Sequence, residues 1–197
     1  MEMEPDLFGG LPTPVEHRTY FALLPPPALA QRIEHDARRL GRLHNVRTVV
    51  AAHRLHVSLN GIQRGSALEP EQLEYAFEIG GAIRRPPFDL VFDRLQTWDG
   101  GRSGQRRHPP PTVLCCAEPP REAAALYDDL RRQMQRLGLR VGPRAFRPHI
   151  TLWYAPARLA ARVLNRPVRL RVDRFCLVHT VSGAAKAEHL ASWPLKF

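Results

Sequence analysis

Two kinds of apolar spacing divide the chain. Short runs with strand-like alternation are separated by three longer segments whose apolar residues recur every three or four positions. The first strand is predicted over 18–24, apolar from Tyr20 onward, and Pro25-Pro26-Pro27 ends it. Leu29, Ile33, Ala37 and Leu40 then mark one face of a helix over 28–43. Residues 44–53 match neither period. A strand follows at 54–60 and is expected to stop at Asn60-Gly61. A second helix runs from Glu69 or Pro70 to about Arg84, with Leu73, Ala76, Phe77 and Ile83 as its inner stripe, before Pro86-Pro87.

The second half repeats the scheme. A strand is expected from Phe88 to Trp98, then a polar Gly-, Arg- and Pro-rich loop over 99–111, then a strand over 112–117. A third helix opens at Pro119 or Pro120 and ends near Leu137, capped by Gly138. A strand at 147–154, a short helix at 156–164, a strand over 168–181 broken near Asp173 and a last strand over 188–195 complete the order. Residues 1–16, interrupted by Gly9-Gly10, Pro12 and Pro14, form an expected flexible leader, leaving 17–197 as one domain. Strand, helix, strand thus occurs twice, which fits an α+β chain of two similar lobes.

Composition adds a partner class. Apolar residues make up 44% of 197, enough for a sizeable core, and the formal charge is +10. Lys occurs only at 186 and 196, so the positive charge is almost entirely Arg, whose planar fork suits phosphate and base stacking. A polyanion such as nucleic acid is the implied partner; Arg-rich codon usage is the other source of such a bias. Cys115, Cys116 and Cys176 show no C-x-x-C spacing, so neither a disulfide framework nor a zinc site is expected. No apolar run approaches the roughly 18 residues of a membrane span. The acidic N-terminus lacks the apolar core of a signal peptide, and a cytoplasmic protein is expected.

The candidate chemistry lies on two of the strands. His56-Val57-Ser58-Leu59 and His149-Ile150-Thr151-Leu152 share the order His, apolar, hydroxyl, apolar. Alternation puts His56 with Ser58, and His149 with Thr151, on one face of each strand, while Leu55, Val57, Leu59, Ile150 and Leu152 turn to the core. His-x-Ser/Thr alone is weak, with about 0.5 chance matches expected in a chain of this composition. His17-Arg18-Thr19 is such a match, with Arg at its centre. The two that keep apolar neighbours each follow a helix. Two imidazoles and two hydroxyls around one cleft suit attack at phosphorus: one His removes a proton, the other supplies one, and the hydroxyls hold the nonbridging oxygens. No metal is required, and His53 and His56, three apart on a strand, face opposite ways. Arg147 is a candidate for gripping the phosphate or the adjacent nucleotide, or else a surface Arg at a strand start. Trp153 is a candidate base-stacking platform, or else a rim or core residue. Arg102, Arg106 and Arg107 in the long loop either touch a phosphate backbone or cap a solvated hairpin. His179 and His189 lack a hydroxyl two residues on and are expected to be structural.

These two motifs, the opening Arg18-Thr19-Tyr20-Phe21-Ala22-Leu23 strand and the closing Trp193-Pro194-Leu195 resemble the 2H phosphoesterase superfamily, in particular the RNA 2′,3′-cyclic phosphodiesterases, also called 2′-5′ RNA ligases. The resemblance covers about 18–197. It implies two pseudo-symmetric lobes, each an antiparallel sheet with helices on its outer face, around a central cleft carrying one motif per lobe. It implies hydrolysis of RNA 2′,3′-cyclic phosphate ends, typically to a 2′-phosphate; a monomer with no cofactor is expected. Alternatives are reversible 2′-5′ joining of tRNA halves and a non-catalytic module that binds RNA ends. Ser58 stands where the family more often has Thr, and Asn60-Gly61 where it usually has an aromatic residue before Leu-Gly.

Overall fold

The computed structural model describes residues 15–99, 102–103, 106–107, 109–143, 145–156, 158–184 and 186–196. Residues 1–14, most of the expected leader, lie outside the described residues. Glu16 is tied into the fold: its backbone exchanges hydrogen bonds with Ser182, and its carboxylate pairs with Arg18 and Arg64.

Chain order is β1 (His17–Leu23), α1 (Pro27–Leu43), β2 (Val57–Gly65), α2 (Pro70–Ala82) and β3 (Phe88–Thr97), then the two-residue strands β4 (Arg102–Ser103) and β5 (Arg106–Arg107). It continues with β6 (Pro111–Cys115), α3 (Arg121–Arg136), β7 (His149–Tyr154), β8 (Arg162–Val172), β9 (Arg174–Val181) and β10 (Glu188–Pro194). Two antiparallel four-stranded sheets result, ordered β10-β9-β1-β2 and β7-β6-β3-β8. Each contains a strand–helix–strand unit, β1-α1-β2 in the first and β6-α3-β7 in the second. β9 and β10 carry the chain back to the first lobe. In each unit the motif strand pairs with the strand before its helix and ends as the edge of its sheet.

Helix starts follow from proline. Pro27 and Pro70 occupy the first turn, where a missing N–H costs nothing. Gly138, with φ 71°, takes the left-handed position after α3, and Leu139 N–H bonds back to the Met134 carbonyl at 3.0 Å. One continuous core joins the lobes: Phe21, Leu23 and Val57 belong to the same packed cluster as Leu90, Phe92, Leu126 and Ile150. The helices seal it. Ala76 and Ile79 of α2, and Leu126, Leu130 and Met134 of α3, are almost fully buried.

Several sequence expectations need correction. β2 does not stop at Asn60-Gly61 but runs on to Gly65. Asn60 is buried, and its side-chain amide donates to the Tyr127 carbonyl of α3 at 3.2 Å, so it ties β2 to α3 instead of opening a turn. Phe77, expected inside α2, is 48% exposed; the buried line passes through Ala76, Ile79 and Gly80. No helix forms among the described residues of 156–164. Arg162 and Val163 instead join β8 against Leu95 and Arg94 of β3. β8 is a sheet edge, and Pro167 lies where its register with β3 shifts, positions that tolerate the missing N–H. The long 99–111 loop includes the β4–β5 ladder. Among the described residues no helix is long and apolar enough to cross a membrane.

Candidate active site

β2 and β7, the outer strands of the two sheets, approach each other, and the Val50 N–H donates to the Leu152 carbonyl across the gap at 2.7 Å. The segment before β2, unassigned from sequence, has no regular structure at 46–51 and makes one 3-10 turn at Ala52–Arg54. It walls a cleft of about 570 Å³ whose lining includes His56, Ser58, His149 and Thr151 together with Arg54 and Tyr154. The described lining holds no carboxylate, so the cleft suits an anion. Leu55, Val57, Ile150 and Leu152 turn into the core with exposures of at most 3%. That burial anchors the backbone that presents the polar side chains.

The two histidines are held alike. His56 Nδ1 lies 2.8 Å from the Arg54 carbonyl oxygen, and His149 Nδ1 lies 2.8 Å from that of Arg147. A carbonyl only accepts, so each Nδ1 carries the hydrogen and each Nε2 is left for other partners. Burial pushes both imidazoles below their ordinary pKa, and the carbonyl bonds oppose this. The positive charge of His149 lowers His56 further, as that of Arg54 does, while Arg147 lowers His149. The two rings therefore sense each other's charge, and protonation of one disfavours protonation of the other.

Each ring also rests on an aromatic neighbour. Tyr20 of β1 lies 5.2 Å from the His56 ring, centroid to centroid. Trp98, just past β3, lies 4.4 Å from that of His149, and the Arg147 guanidinium lies 4.5 Å from the Trp98 centroid. Arg147 thus reaches the histidine's surroundings, but through Trp98 and from a residue preceding β7. Trp153 departs from the base-stacking expectation. It is 1% exposed and packs in the core, closing the cleft floor. The cause is a register shift: Thr112 faces Trp153 while Val113 faces Thr151, so an extra residue enters β7 and Leu152 and Trp153 are buried in succession. β2 does the same, with Ala22 facing Ser58 and Tyr20 facing Gly61, and Leu59 and Asn60 buried in succession. Both motif strands bulge three residues after their histidine.

The remaining titratable groups have other settings. Burial pushes Cys116 up to about 12 and raises Cys115 and Cys176, which disfavours thiolate chemistry. His17 bonds to buried His179 at 3.0 Å, and His179 faces Glu188 at 3.5 Å, on the first sheet. Among the described residues no three His, Cys, Asp or Glu side chains are grouped to hold a metal ion. A larger cleft of about 670 Å³, by Leu23, Leu170 and His189, brings no second imidazole to the first. Arg54, Tyr20 and Trp98 were not singled out by the sequence patterns. One signal could have found Arg54: the motif extends to Arg-x-His-x-Ser/Thr in both copies. Tyr20 and Trp98 come from neighbouring strands and leave no local trace.

No curated protein matches the chain at a significant level. Solved structures do. Escherichia coli LigT complexed with 3′-AMP is 28% identical, with a TM-score of 0.72 over 92% of this chain and 99% of that one. A phosphoesterase crystal structure, 24% identical, reaches a TM-score of 0.72 over 92% and 99%. A Thermus thermophilus protein, 18% identical, shares the fold with a TM-score of 0.66 over 91% and 98%. The family model of the 2′-5′ RNA ligase superfamily matches residues 25–184. The chain therefore belongs to the 2′-5′ RNA ligase superfamily, the two-histidine phosphoesterases, enzymes that act on phosphodiester bonds.

Proposed function

We propose that the protein opens 2′,3′-cyclic phosphates at RNA ends, with His56 and His149 as the proton-transfer pair and Ser58 and Thr151 as donors to the nonbridging oxygens. The observation that carries this is the matched pair of Nδ1–carbonyl bonds, which leaves two Nε2 atoms for one cleft. Water attacks phosphorus as a neutral imidazole takes its proton, and the bond to the ribose 3′-oxygen breaks. The protonated imidazole gives its proton to that oxygen, leaving a 2′-phosphate and a free 3′-hydroxyl. Each transfer is worth about 10²–10⁴-fold. The cycle closes when the two rings exchange protonation states through solvent.

Both lobes supply one imidazole and one hydroxyl, so we take 17–197 as one catalytic unit acting as a monomer. The chemistry calls for neither metal nor cofactor. Three unpaired cysteines favour a reducing, cytoplasmic setting. With a 5′-hydroxyl attacking in place of water and the 3′-oxygen again leaving, the same pair would join a 5′-hydroxyl end to the cyclic phosphate through a 2′-5′ bond, and the reverse step would cleave that bond; the family name favours keeping this second reading. A cleft that only binds RNA ends is the rival outside enzymes.

Product analysis of an RNA oligonucleotide ending in a 2′,3′-cyclic phosphate tests the proposal. A 2′-phosphate end supports it, and a joined strand supports the second reading. A 3′-phosphate end contradicts the bond assignment, and absence of any product leaves the binding module.

A further inference from the structure

We propose that the face of the second sheet opposite its core is the track for the RNA leading away from the reactive end, with Arg94 gripping the phosphodiester on the 5′ side of the reacting nucleotide. This rests on the function proposed above, because that function sets which end of the RNA lies at the histidines.

Register supplies the placement. His149 faces Cys115, Cys115 faces Arg94 and Arg94 faces Val163, a single cross-strand row from β7 to β8. Directly paired residues share a face of the sheet. The adjoining row runs Thr151, Val113, Gln96 on that same face. Leu95, Leu114 and Ile150 form the row between them and belong to the core cluster, so they mark the opposite, core side; Val113 and Cys115 are buried too but lie outside that cluster. Strands lie about 4.8 Å apart, so the Arg94 backbone lies about 10 Å from that of His149.

A cavity of about 350 Å³ occupies this face, lined by Arg94, Gln96, Trp98, Cys116, Arg147 and Pro148. Its size is at the low end for a ligand site. It adjoins the cleft because Trp98 packs against His149 while lining it. Two guanidiniums bound it: Arg147 lies over the Trp98 ring, and Arg94, exposed, forms no ion pair among the described residues. The only nearby carboxylate in its strand, Asp93, accepts the Ala117 N–H instead. Beyond it, Arg169 and Arg171 of β8 lie on the same face, with Asp89 between them.

The first sheet is apolar beside its motif. The row from its motif hydroxyl, the counterpart of Thr151, Val113, Gln96, runs Ser58, Ala22, Cys176, and Ala22 packs with Cys176 and Val178 in a small apolar cluster joined by Tyr20 and Leu24. The first face also carries Arg18 and Arg174, but these pair with Glu16 and Asp173, whereas exposed Arg94 of the second sheet forms no ion pair among the described residues. The RNA body therefore leaves over the second lobe.

The test measures binding separately from turnover. A trinucleotide and a mononucleotide RNA, both ending in a 2′-phosphate, are titrated against the full chain and its R94A and R94E variants, with folding verified by circular dichroism. The wild type is expected to prefer the trinucleotide, and R94A to reduce that ratio about fivefold to tenfold, R94E more. The slope of log affinity against log salt for the trinucleotide should fall in R94A by about 0.7. Absence of a trinucleotide preference in the wild type, or its survival in both variants, overturns the track. Length-dependent binding without turnover of cyclic-phosphate RNA instead removes the proposed reaction and leaves the track standing.

Discussion

The ring of His149 lies 4.4 Å from that of Trp98, and the same indole carries the Arg147 guanidinium at 4.5 Å. Trp98 thus contacts both a cation and the imidazole that the proposed mechanism assigns to proton transfer. Its bulk also helps desolvate the ring, and burial is the largest cause of the lowered His149 pKa. Trp98→Ala is expected to raise that pKa toward the ordinary value, as measured by NMR titration, and to lower kcat. Trp98→Phe, which keeps an aromatic face, should retain most of both. The lost cation–π contact itself is worth about 0.5–1 kcal/mol.

The paired depression of His56 and His149 fixes the form of the pH dependence. In the proposed mechanism, productive enzyme has one ring protonated and one neutral. With both pKa values held below 6.5, that state is most populated on the acidic side of 6.5. kcat/KM, which reports free enzyme, should therefore be bell-shaped with its maximum below 6.5. A bound phosphate anion favours the imidazolium, so the kcat profile should shift to higher pH. A kcat/KM maximum above pH 7 would contradict the burial of the pair.

Stability carries the same sign. A histidine whose folded pKa is depressed opposes folding when protonated, so its contribution is full above the unfolded value and is lost as pH falls through 6.5 toward the folded value. Thermal melting should fall between pH 7 and pH 5. A His56→Gln, His149→Gln double variant should show a flatter decline over that window, above the range in which carboxylates such as Glu16 and Glu34 titrate.

Ser58 and Thr151 are related by the pseudo-symmetry but not by setting: Ser58 is exposed and Thr151 half-buried. Removing one preorganised donor to developing charge costs about 10²–10³ in kcat. Thr151→Val should approach that loss, because the more buried hydroxyl has less water to replace it. Ser58→Ala should lose less. Steady-state kinetics on a cyclic-phosphate substrate decides the order.

What the sequence makes legible is local. The period-two alternation around His56 and His149 placed both imidazoles and both hydroxyls on the right faces, because Leu55, Val57, Ile150 and Leu152 have no stable alternative to the core. Trp153 fails the same rule since a bulge, set by pairing with β6, adds a residue to the strand after Thr151. Asn60-Gly61 reads as a turn for a similar reason: the bond from Asn60 to Tyr127 of α3 spans 67 residues of sequence. Phe77 misled because a helix of mixed faces offers more apolar positions than its neighbours can cover. Trp98 and Tyr20 reach the histidines only through sheet pairing, and the basic face across Arg94 depends on the register of four strands.

Packing between α2 and β10 gives a separate check on the fold. Gly80 lies against the Trp193 indole, and a Cβ there would overlap the ring. Trp193 is itself held by Phe21 and Phe175, at 5.8 and 5.3 Å between centroids. It cannot move without disturbing the core. Gly80→Ala should therefore destabilise by about 1–3 kcal/mol despite its better helix propensity, lowering the denaturation midpoint with an unchanged m-value. Gly81→Ala, with open space around its Cβ, should be neutral or stabilising.

The central claim is that two histidines, one from each lobe, do the chemistry as a pair. The most direct measurement is turnover of an RNA 2′,3′-cyclic phosphate in EDTA by the wild type, by His56→Ala, by His149→Ala and by the double variant. Residues that act as a unit are not additive. The account predicts full wild-type activity in EDTA, a loss of about 10²–10⁴-fold in each single variant, and a double variant little worse than the singles. Activity abolished by EDTA, or retained in either single variant, would contradict it.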